Sequence, residues 1–167
     1  MAEQQTIDPG RLTPKGVVFE GVLRPGDLEG LAEEIASPEG ELRYRVTACL
    51  DGQQRRTVSC IIGGFVFLTC QTTFETYRHE VAIADRLVLV GSEGELPAFE
   101  EEGDAEDFVV ATSPVDVRGL VEEAVILALP MVPKKPGLPP APEPEPESAR
   151  GDKPAPFAAL AGLKRPK

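Results

Sequence analysis

The sequence predicts an α+β fold: an antiparallel sheet of about five strands with two helices packed on it, followed by a disordered Pro-rich C-terminal tail. Three observations carry this reading. From Thr57 to Val90, β-branched and aromatic residues crowd two runs split by the polar Gln71-Thr72-Thr73, which is the pattern of a long antiparallel hairpin. Two other stretches, Leu28 to Ile35 and Val117 to Leu129, repeat apolar residues at helical spacing instead. Eleven of the 17 prolines lie from Pro130 onward, so no packed element is expected in that part.

Each element follows in order. Residues 1–15 are polar and broken by Pro9-Gly10 and Pro14, and read as a flexible arm. Val17, Phe19 and Leu23 make a short strand at a sheet edge, and Arg24-Pro25-Gly26 turns out of it. Asp27 then caps a helix whose Leu28, Leu31, Ala32 and Ile35 share a face, and Ser37-Pro38 and Gly40 end it. Glu41 to Leu50 alternates, with Leu42, Tyr44, Val46, Ala48 and Leu50 on one side and Arg43, Arg45 and Thr47 on the other: a half-buried strand. Asp51-Gly52 signals a hairpin, lengthened by Gln53 and Gln54.

The next strand is apolar on both faces from Ile61 to Leu68. That predicts cover on two sides and places Phe65 and Phe67 in the core. Gly63-Gly64 marks a bulge or sharp bend. The run Thr57 to Phe74 has no charge, but its glycines, hydroxyls and Gln71 leave the fully apolar part far short of the ~20 residues a membrane helix needs. Phe108-Val109-Val110 offers one more short strand. Ser113-Pro114 and Asp116 open the second helix, which becomes apolar almost all round and therefore reads as buried; Pro130 stops it. The expected organisation is an arm over 1–15, an α+β domain over 16–133, a Pro/Glu-rich linker over 134–155 and a terminal peptide over 156–167.

The formal net charge is −11, and its placement matters more than its size. Between Gly91 and Asp107 stand eight acids and no base, which leaves −3 for the rest of the chain. That argues against a protein coated in phosphate contacts yet permits a local basic face, because salt screens charge beyond roughly 8 Å. The start of the chain, Met1-Ala2-Glu3-Gln4-Gln5, lacks the features of a signal peptide, so a cytoplasmic protein with no membrane partner is expected. Cys49, Cys60 and Cys70 form no C-x-x-C pair and read as buried free thiols.

No catalytic constellation, metal site or cofactor motif appears. His79, the single histidine, stands beside Arg78 and Glu80 without a nucleophile to activate. The acidic stretch lacks EF-hand spacing and reads as a solvated loop. The candidates for RNA contact are Arg43, Arg45, Arg55, Arg56, Arg78 and Arg86, which between Arg43 and Val90 outnumber the acids by two. Set beside Phe65 and Phe67 on an outward face, such cations stack unpaired bases; with the rings in the core, the arginines are a solubilising fringe. A second candidate is the terminal peptide. Phe157, Leu160 and Leu163 are spaced for one face of a short helix, and Lys164-Arg165 add charge, which suits docking to a partner.

The run from Val121 to Pro133, Val-Glu-Glu-Ala-Val-Ile-Leu-Ala-Leu-Pro-Met-Val-Pro, resembles the acidic-then-apolar helix and Leu-Pro-x-x-Pro exit of the YceD family, the large ribosomal RNA subunit accumulation proteins. Leu68-Thr69-Cys70-Gln71 is similar to that family's Leu-x-Cys segment, and Pro156 to Lys164 is similar to the terminal peptide of its proteobacterial members. The resemblance implies a non-enzymatic role in synthesis, processing or stability of 23S ribosomal RNA. It implies ribosomal RNA or a large-subunit assembly particle as partner, either by direct binding or through an adaptor role toward a ribosomal protein or processing factor. Where the family usually has C-x-R-C, this chain reads Cys70-Gln71-Thr72-Thr73, and neither Cys nor His follows Pro133. No metal role carries over by that route, and Cys70 reads as a packing residue.

Overall fold

A computed structural model describes residues 5–97 and 106–137 of the chain. The chain divides into two compact units, Met1–Lys135 and Pro136–Lys167. The first holds strands β1 (Thr6–Ile7), β2 (Val17–Leu23), β3 (Ser37–Leu50), β4 (Arg56–Thr69), β5 (Thr76–Val90), β6 (Asp107–Val110) and β7 (Val115–Asp116), with helices α1 (Glu29–Glu34) and α2 (Val117–Ala128). The fold class is α+β, as expected.

Five strands form one sheet in the order β2-β3-β4-β5-β6. The first four pair antiparallel as a meander: short turns join β3 to β4 and β4 to β5, and the segment carrying α1 joins β2 to β3. The sheet is nevertheless mixed and not purely antiparallel: β6 runs parallel to β5, with Leu87 opposite Asp107 and Val90 opposite Val110. Its strand returns from the acidic stretch, which is long enough to cross back over and re-enter in the same direction.

Both helices lie on one face of the sheet, where α2 packs on β4, β5 and α1. Leu42, Val46, Val58, Ile62, Val66 and Leu68 point to that side and are fully buried against Leu28, Leu31, Val117, Val121 and Val125. Burying each such aliphatic side chain stabilises the fold by roughly 1.5–3 kcal/mol. The expectation that β4 is covered on both sides is corrected: Ile61 is 58% exposed, and Phe65 and Phe67 are only half-buried. Among the described residues the helical cover lies on one side, and the second apolar face of β4 is left without it. For the same reason α2 is not buried all round; Leu127 on its outer side is 79% exposed.

Three local readings also change. The first helix is short and takes no side-chain cap from Asp27; its Gly30 and Leu31 amides donate instead to Glu122 Oε1 of α2, at 2.5 and 3.1 Å. Ser37 to Gly40 do not merely end that helix but open β3, with a bulge between Ser37 and Glu41. Gly64 faces this bulge with φ +150, and a Cβ there would lie 1.9 Å from the Glu41 carbonyl oxygen, so only glycine fits. The arm expected over 1–15 is tied down from Gln5 on: β1 pairs with β7, Gln5 accepts from the Val117 amide, and Ile7 is buried.

Candidate functional site

The register fixes what the uncovered face displays, because directly paired residues in neighbouring strands point the same way. One row across the sheet reads Val22, Arg43, Gly63, Ala82, and the next reads Glu20, Arg45, Ile61, Ala84. Beyond them lie Glu41, Phe65 and Glu80, then Phe67 and Arg78. The face therefore interleaves apolar and charged side chains, with Val18 55%, Val22 60% and Ile61 58% exposed on either side of Arg43 and Arg45. An open groove of about 510 Å³ lies there, lined by Glu20, Val22, Arg43, Arg45, Ile61 and Gly63.

The six arginines separate into three settings. Arg43, Arg45 and Arg78 stand on the open face, and each holds a carboxylate: Arg43 Nε to Glu41 at 2.7 Å, Arg45 Nε to Glu20 at 2.5 Å, Arg78 Nε to Glu80 at 2.6 Å. The Arg78 guanidinium also lies 3.7 Å from the Phe65 ring centroid, and Phe67 meets Phe65 edge-on at 5.7 Å. Arg55 and Arg86 converge at the far end. Arg55 forks onto Glu106 at 2.9 and 3.2 Å and reaches Asp51 at 2.8 Å, while Arg86 Nε reaches Glu106 at 3.0 Å. Glu106 holds the Arg55 guanidinium above its ordinary range, and the Arg55 and Gln53 amides, with that guanidinium, keep the Asp51 carboxyl below its own. Arg56, with Leu50 and Leu89 as its cross-strand partners, has no ion pair among the described residues.

A second feature is the corner between β4 and β5. Cys70 is fully buried, and its Sγ accepts from the Lys135 amide at 3.4 Å. That amide, then the Thr73 hydroxyl and the amides of Thr73 and Thr72, bring the thiol down to about 6. The Gln71 amide donates to the Pro133 carbonyl and Lys135 Nζ meets Glu75 at 3.2 Å, so this corner staples the chain that leaves α2. Cys60 is the opposite case, since burial pushes its thiol up to about 11. His79 stands edge-on to Tyr77 at 6.4 Å. Among the described residues no three His, Cys, Asp or Glu side chains gather to hold a metal, and no helix is long and apolar enough to cross a membrane.

Sequence reasoning named the arginines but missed the carboxylates that hold them. For Glu41–Arg43 and Arg78–Glu80 the signal was present, since residues two apart on a strand share a face. For Glu20 and Glu106 there was none, because their arginines lie on other strands or loops; Asp51 shares its turn with Arg55, four residues on, while its second arginine, Arg86, lies on β5. The docking residues Phe157, Leu160, Leu163, Lys164 and Arg165 lie outside the described residues.

No solved structure matches the chain. A family model does: over residues 58–164 the sequence matches the family described as "Large ribosomal RNA subunit accumulation protein YceD". That region begins in β4, takes in the Cys70 corner and α2, and runs into the terminal peptide, so it spans well over half of the 167 residues. The chain belongs to the YceD family, whose role is in large-subunit ribosomal RNA accumulation.

Proposed function

We propose that this chain supports 23S ribosomal RNA as a non-enzymatic protein-binding factor of the cytoplasm. The open face of its sheet receives a protein of the assembly or processing machinery, and its terminal peptide is a second anchor. The observation that carries this reading is the state of the arginines. Three on the open face and two at its end are each already bonded to a carboxylate, at 2.5 to 3.0 Å. Affinity for a phosphate backbone comes from cations that exchange counterions for phosphates, and a guanidinium already neutralised within the chain has little to exchange. What the face does offer is exposed apolar side chains, Val18, Val22 and Ile61, beside ion pairs that are already satisfied, a mixture suited to contact with a protein surface. For the terminal peptide, support comes from the family match, which extends through Lys164.

The second reading is direct RNA contact through Arg43, Arg45, Arg55, Arg56, Arg78 and Arg86. The stack of Arg78 on half-buried Phe65, with Phe67 beside it, favours it, because guanidinium and ring faces also stack on unpaired bases.

Crosslinking in cells, with attached RNA sequenced and attached proteins identified in parallel, separates the two. On the protein-binding reading a defined ribosomal or processing protein is captured. Capture then survives Arg43→Glu and Arg45→Glu and is lost in Ile61→Lys or Phe157→Ala. The opposite pattern refutes it: 23S fragments bound directly, with affinity falling steeply with salt and abolished by the arginine reversals, while Ile61→Lys is without effect.

A further inference from the structure

The sheet has two edges, and among the described residues only one of them is guarded. β6 is four residues long and is anchored by Glu106 in the Arg55–Arg86 cluster. β2 runs seven residues, Val-Val-Phe-Glu-Gly-Val-Leu, and pairs on one side only, with β3. Alternate residues of an edge strand turn their N–H and C=O away from the sheet. Among the described residues none of these groups on Val17–Leu23 finds a backbone partner outside that pairing. Edge strands are ordinarily blunted by lysine, proline, a bulge or a covering segment. β2 has no lysine or proline, its register with β3 is unbroken from Val17 to Leu23, and Val17, Val18 and Val22 are 47%, 55% and 60% exposed.

We infer that β2 pairs antiparallel with β2 of a second copy of this chain, joining two sheets into one about a twofold axis normal to the sheet. Charge favours the second copy as occupant. The chain is strongly acidic, at −11, yet the edge carries a single acid, Glu20, which is neutralised within its own subunit by Arg45 at 2.5 Å. Among the described residues the strand edge is flanked by residues 42–48 of β3, which include no acid, and β5 and β6 stand three and four strands away, the nearer at roughly 14 Å against a screening length of about 8 Å. Closure favours it too. Because the other edge is short and latched, β2 against β2 is self-complementary and terminates as a dimer, whereas β2 against β6 would propagate.

The twofold axis keeps residues of one face together, so the open faces of both copies would become continuous. Registers centred on Phe19 or Gly21 avoid setting Glu20 against its own copy. Two paired seven-residue strands bury less than the ~800 Å² per partner of a standard interface, so the dimer belongs to the weak class. The pairing is independent of whether the open face takes a protein or RNA.

Sedimentation equilibrium on the full chain, from about 1 μM to about 1 mM, tests this in the weak range of dissociation constants. It is read together with amide hydrogen exchange of Val17 to Leu23. A reversible dimer is expected, with exchange at alternate β2 amides slowing as concentration rises. Val18→Glu sets a glutamate opposite Glu20 of the second copy in the Phe19 register, and Val22→Glu does so in the Gly21 register; symmetry counts each contact twice, so one of the two should weaken the dimer about tenfold. Both side chains are exposed, so the melting temperature should hold; if one variant fails to fold, the other and the wild-type exchange profile still decide. A monomer throughout the range overturns the inference. So does a dimer that tolerates both glutamates, or one that leaves β2 exchange independent of concentration.

Discussion

Gly63 and Gly64 are adjacent in β4, yet alanine should have opposite consequences at the two positions. Gly64 sits at φ +150, where side chains are strained, and its added Cβ would stand 1.9 Å from the Glu41 carbonyl oxygen. Real contacts of that kind are not shorter than 3.0 Å, so the β3 backbone must retreat by about 1.1 Å at a bulge that Glu41 and Leu42 anchor. Overpacking of this sort costs roughly 1–3 kcal/mol, and the backbone conformation adds about 1–2 kcal/mol. Ladder hydrogen bonds stretched beside the bulge add about 1 kcal/mol. Gly64→Ala is therefore expected to destabilise by about 4 kcal/mol, a melting temperature lower by roughly 15 °C for a domain of this size. At Gly63 a Cβ meets nothing within 4 Å, and replacing a strand glycine recovers backbone entropy. Gly63→Ala should be neutral or stabilising by up to about 0.5–1 kcal/mol. Urea unfolding with a common m-value, checked by thermal melts, measures both. If Gly64→Ala falls within about 1 kcal/mol of wild type, or the two variants match, the close approach of β3 and β4 is not what holds this corner of the sheet.

Two further outcomes follow from the interior. The native Cys70 thiol titrates near 6 instead of its ordinary 9.0, so between those values the unfolded chain binds a proton that the native state does not. Stability should then rise with pH across this window and be lost as pH falls through about 6; Cys70→Ala should flatten the rise, and parallel wild-type and variant curves would refute it. Above pH 9 the sign reverses through Cys60, whose buried thiol keeps its proton to about 11. Glu122→Ala leaves the Gly30 and Leu31 amides of α1 without their acceptor, and should cost about 1.5–3 kcal/mol. Exchange of α1 amides should accelerate selectively; uniform acceleration over the whole domain would mean that α1 has no separate dependence on this side chain.

Alternation and helical spacing, read from the chain alone, settled a good deal here. They determined that Leu42, Tyr44, Val46 and Ala48 share a face opposite Arg43 and Arg45, that Asp51-Gly52 turns β3 into β4, and that Pro130 stops α2, which ends at Ala128. The motif at Val121–Pro133 also carried the family, which the match over residues 58–164 shows. A period of two says which residues go together but not which side receives the helices. The apolar pattern of Ile61, Phe65 and Phe67 therefore read as core, when it is the uncovered face.

The rest depends on partners distant in sequence. Glu20 reaches Arg45 and Glu106 reaches Arg55 and Arg86 across strands and loops, and Glu122 reaches back 92 residues to Gly30. Local pattern carries no information on such pairs, because a charge looks the same in the sequence whether its neighbour in space is water or a carboxylate. Only the packed sheet decided that five of the six candidate arginines are held by this chain's own carboxylates and that exposed apolar side chains stand beside them.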